Sequence, residues 1–467
     1  MYRVVLVLLL FSVCCTGARA EVLQLDALLT SSSRHVPAIQ AAMAKRDATA
    51  QAAVTARGAF DLQVGSEAFS RASGFYDGIS VLGKAEQPIR DFGANVYGQY
   101  RISSGDFPIY EDVNFTNLGG QAKVGVVLSL LKDRDIDERR FALTDADLAI
   151  EGADFDVLIS QISVQQSAAA AYWRWVAAGR RLAVFRDLLA IAEERDVGLR
   201  KEVESGARAR FFLIENQQTI TQRRGLVTAA NRDYQLAANQ LAMFWRDDEG
   251  VPTVPDASML PPDLTSDRDA PLRALEGIAQ TLAGRPDLAR LQNTIQRAAA
   301  RIQLQQNNLR PQLDVRLEVA EGLGGVGEGG VSRDSTDTIV AVNFSVPIQR
   351  RAAKGRLAAA EARLDALQLE RQQLEEQIDL ELKGIMLSLR YAEQLAALAS
   401  LEVDQSEQLQ RAEQIRFRNG ASDFFLVNVR ETAVANARVK EISARLQTRI
   451  AETNFDAATI NITNLGL

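Results

Sequence analysis

The segment around residue 130 of this chain recurs around residue 345. With Leu128 set on Phe344, the pairs Ser129/Ser345, Arg134/Arg350, Arg140/Arg356, Ala142/Ala358, Ala146/Ala362 and Leu148/Leu364 are identical. One helical length further on, each copy reaches a matching turn: Gly206-Ala207 before Phe211-Phe212-Leu213, and Gly420-Ala421 before Phe424-Phe425-Leu426. A chain made of two copies of one unit needs a fold that uses both.

The first twenty residues combine Arg3, an apolar run from Val4 to Cys15 and the small-residue site Ala18-Arg19-Ala20, the pattern of a secretory signal peptide cleaved before Glu21. Cys14 and Cys15 fall inside it, so the mature chain is expected to carry neither a disulfide nor a lipid anchor. A net charge of −7 and a single histidine argue against nucleic-acid partners and against a histidine-built metal site. No later segment approaches the ~20 continuous apolar residues of a membrane helix. Contact with a membrane would therefore run through β-strands or a surface-bound helix.

Each unit opens with a helical stretch, 33–57 and 286–309, and then alternates. Leu313, Val315, Leu317 and Val319 lie on one face, with Asp314, Arg316 and Glu318 on the other, a separation that only a strand gives. A glycine-rich loop from Gly322 to Gly330 leads to a return strand with Val340, Val342, Phe344 and Val346 on one face. The first unit repeats this with Leu62 and Val64 going out, and Val124, Val126, Leu128 and Leu130 coming back. Strands of about ten residues with one apolar and one polar face suit a transmembrane β-barrel. A soluble sandwich with the apolar face packed inward is the alternative on pattern alone. The extra material between Ser70 and Gly120, with a possible hairpin at 79–89 and 94–102, reads as an extracellular elaboration.

After each return strand comes a proline-free stretch rich in Ala, Leu, Gln, Glu and Arg, 136–204 and 353–418. In the second copy Leu364, Leu367, Leu374, Ile378, Leu382, Ile385, Leu389, Ala392 and Leu395 step by three, four or seven, a heptad-like seam. A helix of that length would run ~100 Å at 1.5 Å per residue and needs partners along it. Return helices (208–247 and 424–458), stacked on the opening helices, supply partners of matching length. The domain reading is therefore a signal peptide (1–20), a first repeat (21–248), a proline-rich connector (249–272) and a second repeat (273–467).

In this order of elements, given twice, the chain resembles the TolC-type outer-membrane efflux protein family over essentially the whole mature sequence. The residues carrying the resemblance are the junction Ser345-Val346-Pro347-Ile348 with Arg356-Leu357-Ala358, and the turn Arg416-Phe417-Arg418-Asn419-Gly420 leading to Phe425-Leu426-Val427. The resemblance implies a mainly α fold with transmembrane β: long antiparallel helical hairpins forming an α-barrel, and four strands per subunit closing a trimeric twelve-stranded β-barrel. It implies a homotrimer in outer-membrane lipid that works with a periplasmic adaptor and an inner-membrane transporter as the exit duct of an efflux or type I secretion system. No enzyme activity, cofactor or metal is implied. The competing classes are a periplasmic adaptor and a structural coiled-coil protein of the envelope.

The resemblance also places the closed periplasmic end at the hairpin tips, with turns at Gly206 and Gly420. It carries over to Asp423, Asn428 and Glu431 as aperture residues, and to Glu215 and Gln218 at the matching positions of the first unit. Asn428 and Glu431 keep a three-residue spacing and are expected to face one pore. Arg208, Arg210 and Arg418 are the candidates for contact with an adaptor. Three other signals are set aside. Gly322-x-Gly324-x-x-Gly327 opens a strand rather than a helix. Asp133-x-Asp135-x-Asp137 lacks the glycine and final glutamate of a calcium loop and suits helix capping. His35 has no companion ligand.

Overall fold

The computed structural model describes residues 22–108, 114–264, 284–327 and 335–467. The expected signal peptide, the end of the connector and part of the glycine-rich loop lie outside the described residues. Helices α1 (Leu25–His35) and α2 (Pro37–Arg57) open the chain, broken where Pro37 removes a backbone donor. Then come β1 (Gln63–Ser70), β2 (Ile79–Pro88), β3 (Ala94–Ser104) and β4 (Gln121–Ser129). The long helix α3 (Glu138–Glu204) turns into α4 (Arg210–Leu241). The second unit repeats the order with α5 (Pro286–Asn307), β5 (Gln312–Gly322), β6 (Asp337–Ser345), α6 (Arg351–Arg418) and α7 (Phe424–Ala458), and ends in the short α8 (Ile462–Leu465). The mainly helical two-repeat architecture is as expected.

The strand count is not. The six strands form one antiparallel sheet in sequence order, β1-β2-β3-β4-β5-β6. The segment expected as an extracellular elaboration is the β2–β3 hairpin, which sits inside the sheet between β1 and β4. The sequence misled because each strand of the hairpin has only a few apolar residues, and a glycine interrupts the alternation at Gly83 and Gly98.

The described chain divides into two compact units that cut across the repeats. One takes its residues from 41–159 and 282–378 and holds the sheet; the other takes them from 1–40, 160–281 and 379–467 and holds both helical turns. In the sheet unit the ends of α3 and α5 are joined by charge pairs, Arg297 to Asp145 at 2.8 Å and Arg290 to Asp156 at 3.1 Å. The first of these loses part of its worth to solvent and the second most of it, as half-exposed pairs do. The aspartate run here is structural. Asp137 accepts the Arg140 N–H at 2.8 Å and caps α3, Asp135 pairs with Arg310 at 2.8 Å, and Asp133 exchanges hydrogen bonds with Asn307. Among the described residues no group of three or more His, Cys, Asp or Glu is placed to hold a metal ion.

The other unit has the tightest packing. Trp175, Val176, Leu28, Leu29 and Leu241 are almost wholly buried. Tyr172 donates to Leu23 O at 2.9 Å, and the Gln165 amide to Leu29 O at 2.8 Å, so α1 is fixed to α3 through its own backbone. Burying the Tyr172 hydroxyl and the Gln165 amide costs little because these bonds are made. Arg449 donates to Leu264 O at 2.8 Å and lies over the Trp173 ring, joining α7 to the described part of the connector. On α6 the seam is real at Leu367, Ile378, Leu382, Leu389 and Ala392, all buried. Leu395, expected on it, is 59 % exposed; the seam continues through buried Ala399 and Val403 instead.

Candidate functional site

The turns that end the two long helices are built alike. Gly206 and Gly420 take left-handed φ values of +75° and +73°. In the first turn the Gly206 N–H donates to Val203 O (3.1 Å) and the Ala207 N–H to Glu202 O (2.9 Å). In the second, the Gly420 N–H donates to Phe417 O (3.0 Å) and the Ala421 N–H to Arg416 O (2.9 Å). These bonds satisfy carbonyls a helix end would leave bare, and the left-handed residue between them favours glycine.

Beyond the turns the two hairpins differ. Asp423 Oδ1 accepts the Leu426 N–H at 2.8 Å and caps α7, whereas Ala209 stands before α4 with no side-chain cap. Arg208 pairs with Glu202 at 2.5 Å and lies 5.3 Å from the Phe212 ring centre, so it is held within its own turn. Arg210 and Arg418 are exposed, and Gln218 is exposed beside a half-buried Glu215.

One turn into α7 the two hairpins are fastened together. Arg195 of α3 donates from Nη1 to Asn428 Oδ1 at 2.6 Å and from Nη2 to Glu431 Oε1, and its guanidinium sits 5.0 Å from the Phe424 ring centre. Arg223 of α4 donates from Nη2 to Glu431 Oε2 at 2.9 Å and from Nη1 to Leu188 O at 2.6 Å. Glu431 is 2 % exposed and Arg223 3 %. Burial pushes the Arg223 guanidinium down from its ordinary value, and the hydrogen bond to Glu431 opposes that.

Asn428 and Glu431, expected to face a pore, are both bonded to Arg195 here, Asn428 half-buried and Glu431 in the interior of the chain. Both carboxylate oxygens of Glu431 are engaged inside the chain, because a buried carboxylate without cationic donors is costly. Arg195 and Arg223 were missed by sequence reasoning. A signal was present for Arg223: the buried residues of α4 run Asn216, Ile220, Arg223, Ala230, and a guanidinium on that stripe needs a buried acid. Asn216, wholly buried, extends the same layer by donating to Ala192 O at 3.1 Å.

Further along the same hairpin Glu407 accepts from Arg438 at 2.7 Å and pairs with Arg411 at 3.4 Å. The Arg438 hydrogen bond holds its carboxyl below the usual range.

Residues 277–459 match the model of the outer membrane efflux protein family. No curated protein matches the chain by sequence. Its fold is that of several solved channels. The open-state MtrE outer membrane channel of Neisseria gonorrhoeae superposes with a TM-score of 0.65 at 16 % identity, covering 93 % of this chain and 88 % of that one. The CmeC outer membrane channel of Campylobacter jejuni gives 0.65 at 12 % identity, covering 95 % and 89 %. The outer membrane protein VceC of Vibrio cholerae gives 0.64 at 16 % identity, covering 93 % and 96 %.

Proposed function

We propose that the chain is the outer-membrane duct of an export system, a reading supported by the match of residues 277–459 to the outer membrane efflux proteins. It would act as a homotrimer joined to a periplasmic adaptor and an inner-membrane transporter. The observation that carries this reading is the uncovered apolar face of the sheet: Val64, Val124, Val340, Val342 and Phe344 are each more than 60 % exposed. The opposite face is charged. A soluble sandwich would have covered the first face, and lipid is the solvent that suits it.

The sheet ends on two strands, β1 and β6, each with one unpaired edge among the described residues. In a bilayer such edges cost several kcal/mol per bare group, so copies must join edge to edge. The helices support the same assembly. Leu380, Leu387, Tyr391, Leu395 and Leu398 on α6 are all more than half exposed, at spacings of three, four and seven. This is a second apolar stripe beside the buried one, suited to a neighbouring copy.

In this reading the Arg195–Glu431–Arg223 cluster keeps the second hairpin against the first and so keeps the periplasmic end shut. Asp423 sets the start of α7. Exposed Arg210 and Arg418 are the groups left for an adaptor. The chemistry required is none: transport through a duct is a matter of bore, wall polarity and closure. Membrane partition tests it. The mature chain should float with lipid vesicles and precipitate when detergent is withdrawn; a chain that stays dispersed and monomeric without detergent would be an adaptor or a soluble coiled coil.

A further inference from the structure

We propose that the β2–β3 hairpin is a membrane-spanning part of the barrel wall, so that each subunit gives six strands and the trimer an eighteen-stranded barrel. The inference rests on the duct reading and goes beyond the twelve strands that the family resemblance implies.

Three observations carry it. First, β1 and β4 are not paired with each other. The ladder runs from β1 to β2 (Gln63 with Glu86 through Ser70 with Ile79), from β2 to β3 (Ile79 with Ser104 through Pro88 with Asn95) and from β3 to β4 (Ala94 with Leu128 through Arg101 with Gln121). Removing the hairpin would leave a gap in the wall, because it occupies the full width between its neighbours.

Second, the hairpin has the same two faces as the rest of the sheet. One row across all six strands reads Val64, Ala85, Gly98, Val124, Val319, Thr338; the next row, on the other face, reads Gly65, Lys84, Gln99, Lys123, Ala320, Asp337. On the apolar side Ile79, Val81, Val96 and Ile102 are exposed like their counterparts in β4 to β6. On the polar side Lys84 pairs with Glu86. Tyr97 lies across Gly125, where an added Cβ would stand 2.5 Å from its ring, and its hydroxyl donates to Glu318. An aromatic laid over a glycine in this way ties β3 to β5 across β4.

Third, the hairpin spans the sheet from end to end. Its turn lies at the helical end: the Gln87 amide donates to Phe60 O at 2.6 Å, Arg90 sits over the Phe60 ring, and an added Cβ at Gly93 would stand 2.1 Å from Asp133 O. Phe60 and Asp133 are where the chain leaves α2 for β1 and β4 for α3. The 10 and 11 residues of β2 and β3 then climb to the opposite rim. Tilted strands of that length cross a hydrocarbon layer, and a short turn at the helical end with longer loops opposite is the pattern of outer-membrane barrels. An elaboration standing outside the membrane would have neither the anchored turn nor the lipid-facing row.

The consequence is a wider conduit. Barrel diameter grows roughly linearly with strand number, so eighteen strands give about one and a half times the bore of twelve, and roughly twice the cross-section. The constriction then lies at the helical tips and not in the membrane, and Lys84 and Gln99 join the wall that meets the cargo.

Single cysteines test this in a chain whose own Cys14 and Cys15 are replaced by serine. V81C and V96C report the outward face of the hairpin, K84C and Q99C the inward face, and V342C on β6 serves as the reference. Each is labelled with bimane and reconstituted in vesicles with and without dibrominated phosphatidylcholine. The expected result is quenching at V81C and V96C as deep as at V342C, none at K84C and Q99C, and block of current when a charged water-soluble thiosulfonate modifies the last two. Quenching at V342C without quenching at V81C and V96C would overturn the proposal and leave the duct reading intact. Absence of quenching at V342C as well would overturn both.

Discussion

Arg223 and Glu431, 208 residues apart in sequence, meet at 2.9 Å with their side chains only 4 % and 1 % exposed. The pair joins α4 of the first repeat to α7 of the second, and Arg195 completes it from α3. Removing one partner strands the other charge in the interior, which typically costs about 3–5 kcal/mol. E431A should therefore lower the thermal midpoint of the purified protein far more than R195A, whose side chain is 19 % exposed. The R195A/E431A double variant should be less destabilised than the sum of the singles. Scanning calorimetry measures all three; additive losses would mean that the cluster is not coupled.

Acid should weaken the second hairpin through Glu407. Its folded carboxyl titrates below the unfolded value because of the Arg438 hydrogen bond, so this stabilisation is present above the unfolded pKa of about 4.3 and is lost as pH falls through the lower folded value. At neutral pH, E407Q should be less stable than the parent by up to about 1 kcal/mol, as befits a partly exposed pair. The gap should close below that carboxylate range. Midpoints measured from neutral to acid pH give the answer, and a gap independent of pH would exclude the mechanism.

Much of this fold can be read from the chain, and the reasons are physical. Long proline-free stretches and the Leu382, Leu389, Ala392 seam reveal α6 because helices declare themselves locally. The β2–β3 hairpin is legible as a possible hairpin at 79–89 and 94–102, but its place within the sheet is not, since Gly83 and Gly98 blunt its alternation and only the pairing to β1 and β4 reveals it. Aligning the repeats locates Asn428 and Glu431 but not their partners, because Arg195 and Arg223 come from the other repeat and no local pattern couples them. Asp423 caps α7, a role its position before Phe424 already allowed.

The left-handed turns should resist a side chain. G206A and G420A each force a Cβ into a conformation that costs about 1–2 kcal/mol for an L residue. Added space does not help, since an added Cβ would meet no atom within 4 Å beyond its chain neighbours at either site, and the strain is in the backbone alone. Hydrogen exchange at Ala207 and Ala421, whose amides close the turns, should accelerate in the matching variant and stay unchanged in the other turn.

Gly125 should tolerate no larger residue. G125V places its side chain in the Tyr97 ring and should reduce the yield of heat-resistant trimer on gels. The companion change Y97A, which removes the ring, should restore part of it. Failure of the pair to recover together would mean that the Tyr97–Gly125 contact does not hold the sheet.

The stripe of Leu380, Leu387 and Leu398 should be covered by a neighbouring copy. L387D combined with L398D would bury two charges there, and native mass spectrometry from detergent should show monomer where the parent shows trimer. A variant trimer as stable as the parent would move the subunit contact elsewhere.

Single-channel current across a planar bilayer shows whether Glu431 holds the duct closed. The parent trimer should give small, brief openings, and E431A, which frees α7, should give sustained conductance several times larger. Silence from both proteins, with insertion confirmed, would contradict this role of Glu431.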